Sequence, residues 1–316
     1  MKNILIPMST VLVLGAGAAF AQETGFQGGE LNLEYNSLDN DNLDNPISMW
    51  SANFGVAYNL TPQFGLQVGA GYNSIGTEFE DGPDTLGVSV DMTDLNAHAY
   101  YNFGVDSKIG IFAARYAVSN LTFELNGVFD GAIPLSMDLM TYGVEGMYDS
   151  GPVKVEARYG AAEIQNSLLL APDQVDISFY ELDVEYAMSS NFNLVADING
   201  TTVDLMGTEI TLNTYSAGVE YMAMTNFGLT ASVDGGSLSI DGESESIDLF
   251  GYTIGAEYVV SGGVLGSNDA TLFASYGTTN ISGIGIDEDT TNLKIGANIA
   301  FGGSSSSDLF SRISLF

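Results

Sequence analysis

The chain has 316 residues, no Cys, one His, 7 Lys plus Arg against 40 Asp plus Glu, and a formal net charge of −33. Without Cys there is no disulfide scaffold, thiol nucleophile or Cys-ligated zinc, and a polyanion of this size is repelled by phosphate backbones, which excludes nucleic acid as a partner. Hydrophobic residues nonetheless make up 45% of the chain, so acid and oil must be kept apart in space.

The first element is an export signal over residues 1–21. Lys2 supplies the positive end, Ile4 to Phe20 is almost wholly apolar, and Ala19-Phe20-Ala21 is the small-x-small pattern that signal peptidase reads. Cleavage there predicts a mature chain from Gln22. The glycines of Val13 to Ala19 superficially resemble a dinucleotide-binding loop, but no strand precedes them. After Ala21 no apolar run approaches the roughly 20 residues of a membrane-spanning helix, so a membrane protein would have to cross with strands.

From Gln22 on, the chain alternates with period two. Trp50, Ala52, Phe54, Val56 and Tyr58 interleave with Ser51, Asn53, Gly55 and Ala57; Tyr180, Leu182, Val184 and Tyr186 alternate with Glu181, Asp183 and Glu185. Successive side chains of a strand point to opposite faces, so each such segment has one oily and one wet surface. The pattern predicts strands near 30–36, 47–58, 64–74, 94–103, 109–118, 135–148, 153–164, 177–187, 192–202, 211–221, 227–235, 248–259, 270–278 and 291–301. Apparent phase slips near Thr93, Asn213 and Leu249 suggest bulges and strands that continue past a membrane.

The connections alternate between tight turns, such as Asn59 to Gln63 and Ala187 to Asn191, and long acidic stretches at 75–92, 119–134, 165–176 and 236–247. Rings flank the tight turns on the apolar phase: Tyr58 with Phe64, Tyr186 with Phe192, Tyr221 with Phe227. Segments of about 10 residues, turns short at one end and long at the other, and a band of rings at one level predict an all-β, transmembrane, antiparallel up-and-down barrel. The count is about 14 strands, with 12 or 16 as alternatives, over residues 22–301. The lipid face is expected to carry no charge, since Lys or Arg at mid-bilayer costs about 2–4 kcal/mol.

The wet phase then lines a lumen. Its acids are Glu30, Glu34, Glu145, Glu156, Glu181, Asp183, Glu185, Asp197, Glu220, Asp234 and Glu257, against Arg115, Lys154, Arg158 and Lys294. A barrel of this width approaches that of water-filled channels, and acidic rings favour cations. The expectation is a cation-preferring channel for ions and small hydrophilic solutes, with no cofactor and no resident metal. Asp39 to Asp44 begins like a calcium loop but lacks Gly at its sixth position and has Trp50 where a bidentate Glu belongs.

These features together resemble a Gram-negative outer-membrane porin of the general-diffusion type, over about Glu30 to Phe301. Leu293-Lys294-Ile295-Gly296-Ala297-Asn298-Ile299-Ala300-Phe301 is similar to the terminal strand that the barrel-assembly machinery reads in such proteins. The resemblance implies residence in the outer membrane among its lipid and lipopolysaccharide, and homotrimeric assembly. It also implies a third outer loop folded into the lumen, here residues 120–134 with Glu124 and Asp130 as constriction acids. The facing arginine ladder of that family is absent, since Arg115, Arg158 and Arg312 are the only arginines.

Residues 302–316, a Gly/Ser linker and then Asp308 to Phe316, extend beyond the porin pattern. Two readings stand for this tail: a second assembly signal, or a segment that folds into the periplasmic mouth. Three other functions compete with the channel. An enzyme barrel would have to rely on His98, which sits mid-strand on the wet phase, and is not expected. A fatty-acid or hydrophobic-solute transporter would carry an N-terminal plug and an apolar lumen. A structural or adhesive barrel would not conduct.

Overall fold

The computed structural model describes residues 24–40, 45–81, 84–103, 106–125, 129–166, 175–242, 246–260, 270–283, 285–302 and 310–311; the export signal expected over 1–21 lies outside them. Fourteen strands follow in chain order. They are β1 (Gly25–Asn40), β2 (Ile47–Asn59), β3 (Phe64–Asp81), β4 (Asp84–Asn102), β5 (Ser107–Leu125), β6 (Phe129–Ser150), β7 (Val153–Asn166), β8 (Val175–Ser189), β9 (Phe192–Leu205), β10 (Thr208–Met224), β11 (Phe227–Ile240), β12 (Ile247–Val260), β13 (Ala270–Gly283) and β14 (Ile286–Gly302). Each pairs antiparallel with its neighbours in sequence, and β1 closes on β14 from Gly28↔Gly302 to Asn40↔Thr290, so the barrel has no free edge. Every expected strand is present.

The strands are longer at the hairpin end than their periodicity suggested. Residues 75–81 and 84–92 pair as continuations of β3 and β4, and 119–125 and 129–134 as continuations of β5 and β6. Much of what read as long acidic loop is therefore ladder. The reason is composition: Thr77, Glu78, Val88 and Thr122 stand beyond the oily band, where neither face needs to be apolar. The β9–β10 connection is tighter still, with Leu205 facing Thr208 across a two-residue turn. Met206 and Gly207 both have positive φ, the signature of a type I′ hairpin, and the Gly207 amide donates to Asp204 Oδ1 at 2.7 Å.

Register sorts the side chains. Val56↔Val68, Val68↔Ala97, Ala97↔Ala113 and Ala113↔Tyr142 carry one face unbroken around five strands, and its large members stand exposed: Leu95, Ile111, Val144, Ile254. This is the lipid-facing surface of a barrel, apolar because water is not its solvent. Beside the tight turns it carries the expected rings, with Phe64 and Tyr101 edge to face at 4.9 Å.

A second girdle lies six to eight residues further along, formed by Tyr35, Trp50, Tyr72, Tyr142, Tyr180, Tyr215, Tyr252 and Tyr276. At about 3.3 Å per residue and a tilt near 40°, the two levels are about 15–20 Å apart between Cα atoms, to which the rings add their own length. The upper tyrosines turn their hydroxyls to polar partners: Tyr72 donates to Asp91 at 2.8 Å, Tyr142 to Glu163 at 2.7 Å and Tyr180 to Asn213 at 3.1 Å. Asn213 thus sits in unbroken register on the outer face, and the slips expected there and at Leu249 are absent. Near Thr93 the register shifts only against β5, where Ser119 is the extra residue opposite Asp91 and Met92, while β4 keeps its phase against β3.

Two expectations about the outer face need correction. It does carry charge, at the upper girdle, where Glu163 and Asp91 receive tyrosine hydroxyls and Arg115 donates to Asp138 at 2.9 Å. Arg115 is the second correction: it pairs with Leu95 and Met140, follows Ile109, Ile111 and Ala113, and points out of the barrel instead of into the lumen. Its guanidinium reaches the level where lipid gives way to water, so the penalty of a buried charge does not arise.

Candidate functional site: the barrel lumen

The inner face has two unlike walls. Along β3–β8 it is packed. Phe112 and Phe179 meet at 6.0 Å over Gly143 and Gly160, where a Cβ would fall 2.6–2.9 Å from the Phe112 ring; only glycine leaves room for it. Toward the hairpin end, Leu139, Ala162, Ile164 and Val175 form a second buried apolar cluster, with Ile177, Val203 and Leu205 against it.

Toward the turn end the same wall holds a buried charged network. His98 on β4 points Nδ1 at both carboxylate oxygens of Glu145 on β6, at 2.9 and 3.0 Å, and both side chains have no exposed surface. Arg158 on β7 lies 3.5 Å from Glu145 through Nε, donates to Glu156 at 2.8 Å and to Glu181 on β8, and stacks over Phe112 at 5.5 Å. One guanidinium and one imidazole thus meet three carboxylates. Burial at this depth is offset by the pairing of opposite charges, although His98 Nε2 and Arg158 Nε are buried without a hydrogen-bond partner.

Into this network fits the segment that follows β14. Phe310 is 1% exposed. Its ring lies parallel to and offset from His98 at 5.9 Å and edge-on to Tyr100 at 5.7 Å, with Met147 completing the pocket. Its amide donates to Gln67 Oε1 at 3.0 Å and its carbonyl accepts from Gln67 Nε2 at 2.8 Å, as a neighbouring strand would. Ser311 donates through its hydroxyl to Glu156 at 2.8 Å, and its carbonyl accepts from Arg158 at 2.8 Å. Of the two readings of the tail, these described residues take the one inside the barrel. Gln67 stood on the wet phase of its alternating strand, which placed it inward but gave no partner; for Phe310 the hint in the sequence was a Gly/Ser linker leading to an apolar stretch.

The opposite wall is acidic and open. Register sets Glu156, Asp183, Asp197, Ser216 and Asp234 in one row across β7–β11, all inward. Asn193 ties Glu185 to Glu220 at 3.2 and 3.3 Å, and Ser232 and Thr253 donate to Asp234 at 3.2 and 3.3 Å. Glu257 and Lys154 also face inward, and Lys294 pairs with Glu34 at 3.3 Å across the β1–β14 seam. Among the described residues, Asp183, Asp197 and Asp234 have no base within ion-pair distance.

The lumen residues inferred from sequence are thus brought together, Arg115 excepted. The constriction loop is not formed as expected: 120–125 and 129–134 are a paired hairpin with Glu124 opposite Asp130, because both arms continue the ladder; the side chain of Asp130 lies outside the described residues. Among the described residues, Phe310 and Ser311 enter the lumen.

A family described as outer membrane protein beta-barrel domain matches residues 8–222. No curated protein matches the chain in sequence. Among solved structures, the fold is similar to that of OmpT, an outer membrane protein of Vibrio cholerae, at TM-score 0.52 and 11% identity, covering 90% of this chain and 100% of that one. It is similar to a FadL homologue of Pseudomonas aeruginosa at TM-score 0.53 and 9% identity, covering 88% and 90%. The toluene transporter TodX of Pseudomonas putida aligns at TM-score 0.51 and 12% identity, covering 88% and 90%. At these identities the likeness is one of fold alone. With a closed 14-stranded barrel, an oily belt between two aromatic girdles and a family match over most of its length, the chain belongs to the outer membrane protein β-barrel family and crosses the outer membrane with its strands.

Proposed function

We propose that the protein is an outer-membrane channel that passes ions and small hydrophilic solutes and prefers cations. The observation that carries this reading is the inward row Glu156, Asp183, Asp197 and Asp234. Like charges side by side on one face weaken a sheet, by about 0.2–1 kcal/mol per pair, so the row is a stability cost that a wall serving structure alone would shed. Facing a lumen, such a row concentrates cations and repels anions. Reconstitution into a planar bilayer under a salt gradient tests it. The expected reversal potential has the cation-selective sign and falls toward zero in Asp183→Asn/Asp197→Asn. An anion-selective sign, or no conductance, would overturn the reading.

A second reading has its own observation. Leu139, Ile164, Val175, Ile177, Val203 and Leu205 give the hairpin end of the lumen an apolar patch that a purely aqueous pore does not need. It supports entry of a small hydrophobic solute along β6–β9, a reading to which the folds of the FadL homologue and TodX lend only architecture. Binding of a fluorescent apolar probe to the detergent-solubilised barrel, lost in Ile164→Asp, is the expected result; no binding to the parent sinks it.

A further inference from the structure

The seat around Phe310 is built to a degree that incidental contact does not explain. It takes an aromatic ring between His98, Tyr100 and Met147. It reads the backbone twice through one amide side chain, Gln67, itself 5% exposed. It then holds the next residue by a carboxylate on its amide and hydroxyl and a guanidinium on its carbonyl. Donors meet acceptors at every backbone group of Phe310 and Ser311 that the seat touches. This is the chemistry of peptide recognition inside a barrel wall.

We propose that the inner face of β3–β7 is a binding site for an aromatic-Ser peptide segment, and that residues 310–311 occupy it as an intramolecular plug that narrows the lumen. The seat lies close to the turn end: Gln67 is near the start of β3, Glu156 near the start of β7, and Tyr100 and Met147 near the ends of β4 and β6. β14 stops at that same end, at Gly302. The acid row on β7–β11 begins at the seat, since Glu156 belongs to both. An occupied seat therefore engages one member of the row and leaves Asp183, Asp197 and Asp234 facing the remaining bore. The effect on the bore rests on the channel reading; the occupancy of the seat does not.

The test uses the full chain and exploits the absence of native Cys. Met147→Cys places a thiol under the Phe310 ring, and its labelling by a water-soluble maleimide reports whether the seat is covered. Phe310→Asp sets a charge against Glu145 and Glu156 and expels the segment; Phe310→Ala removes the ring alone and guards against a misfolded charged variant. Labelling is expected to quicken on the order of tenfold in either variant, as a protected site does when its cover opens. Single-channel conductance of Phe310→Asp, with Met147 intact, is expected to rise roughly twofold as the bore widens. Equal labelling with and without the ring overturns the seat, and faster labelling with unchanged conductance overturns the plug. If labelling quickens but no form conducts, the seat stands and the channel reading falls.

Discussion

Asp183 on β8 and Asp197 on β9 are direct register partners on the inner face, two carboxylates side by side with no base in ion-pair distance among the described residues. Neutralising one of them should do two opposite things. Asp197→Asn is expected to stabilise the barrel by about 0.2–1 kcal/mol, seen as a higher midpoint in urea, while lowering cation preference. A loss of stability would show that the pair is held by something other than tolerance of repulsion.

Glu145 is the hub of the buried network, within reach of both His98 and Arg158 and with no exposed side-chain surface. Glu145→Ala leaves a guanidinium and an imidazole facing each other across the space it vacates. Breaking such a buried pair from one side costs about 3–5 kcal/mol. The measurement is the temperature at which the folded band converts to the unfolded one on a heat-modifiability gel. Glu145→Gln, which keeps the shape and one acceptor, should fall between parent and Ala.

Gly143 tests the packing of the aromatic wall. A methyl there would run into the carbonyl oxygen of Tyr159 and lie 2.6 Å from Phe112 Cζ, and the backbone half of that clash has nowhere to go. Gly143→Ala should cost about 1–3 kcal/mol. Pairing it with Phe112→Leu should recover only part, because trimming the ring leaves the carbonyl in place; full recovery would place the strain in the ring alone.

Depth in the membrane should decide the cost of charge on the outer face. Val68 lies midway between Phe64 and Tyr72, so Val68→Arg should cost about 2–4 kcal/mol, whereas Leu60→Arg in the β2–β3 turn should cost no more than about 1 kcal/mol. Arg115, outward and paired with Asp138, belongs to the inexpensive class: Arg115→Gln should change stability by less than about 1 kcal/mol and leave the reversal potential unmoved. A shift in selectivity would return Arg115 to the lumen.

The architecture was legible because lipid imposes a rule on every second residue. Strand number, turn positions and the lower girdle all follow from that rule, as Trp50 to Tyr58 shows. It failed where both faces of a strand are apolar. In β5, Ile109, Ile111 and Ala113 face out while Phe112, Ala114 and Tyr116 pack inward, so parity alone could not orient Arg115. Asn213 misled for the complementary reason: a polar residue at the water boundary breaks the pattern without breaking the register. The seat of Phe310 was invisible because it joins residues 243 positions apart, a relation no local period encodes.

The packed inner wall also makes the barrel mechanically lopsided. From β3 to β8 the strands are backed by rings, a salt-bridged network and a docked segment, a second layer under the ladder. Among the described residues, the ladder from β10 through β14 to β2 has no such buried cluster behind it, and the seam between β1 and β14 lies within that thinner arc. A tube stiff on one side bends on the other. Breathing and exchange of amide hydrogens with solvent should concentrate opposite the network, so that the seam joining the first strand to the last is also where the barrel yields first.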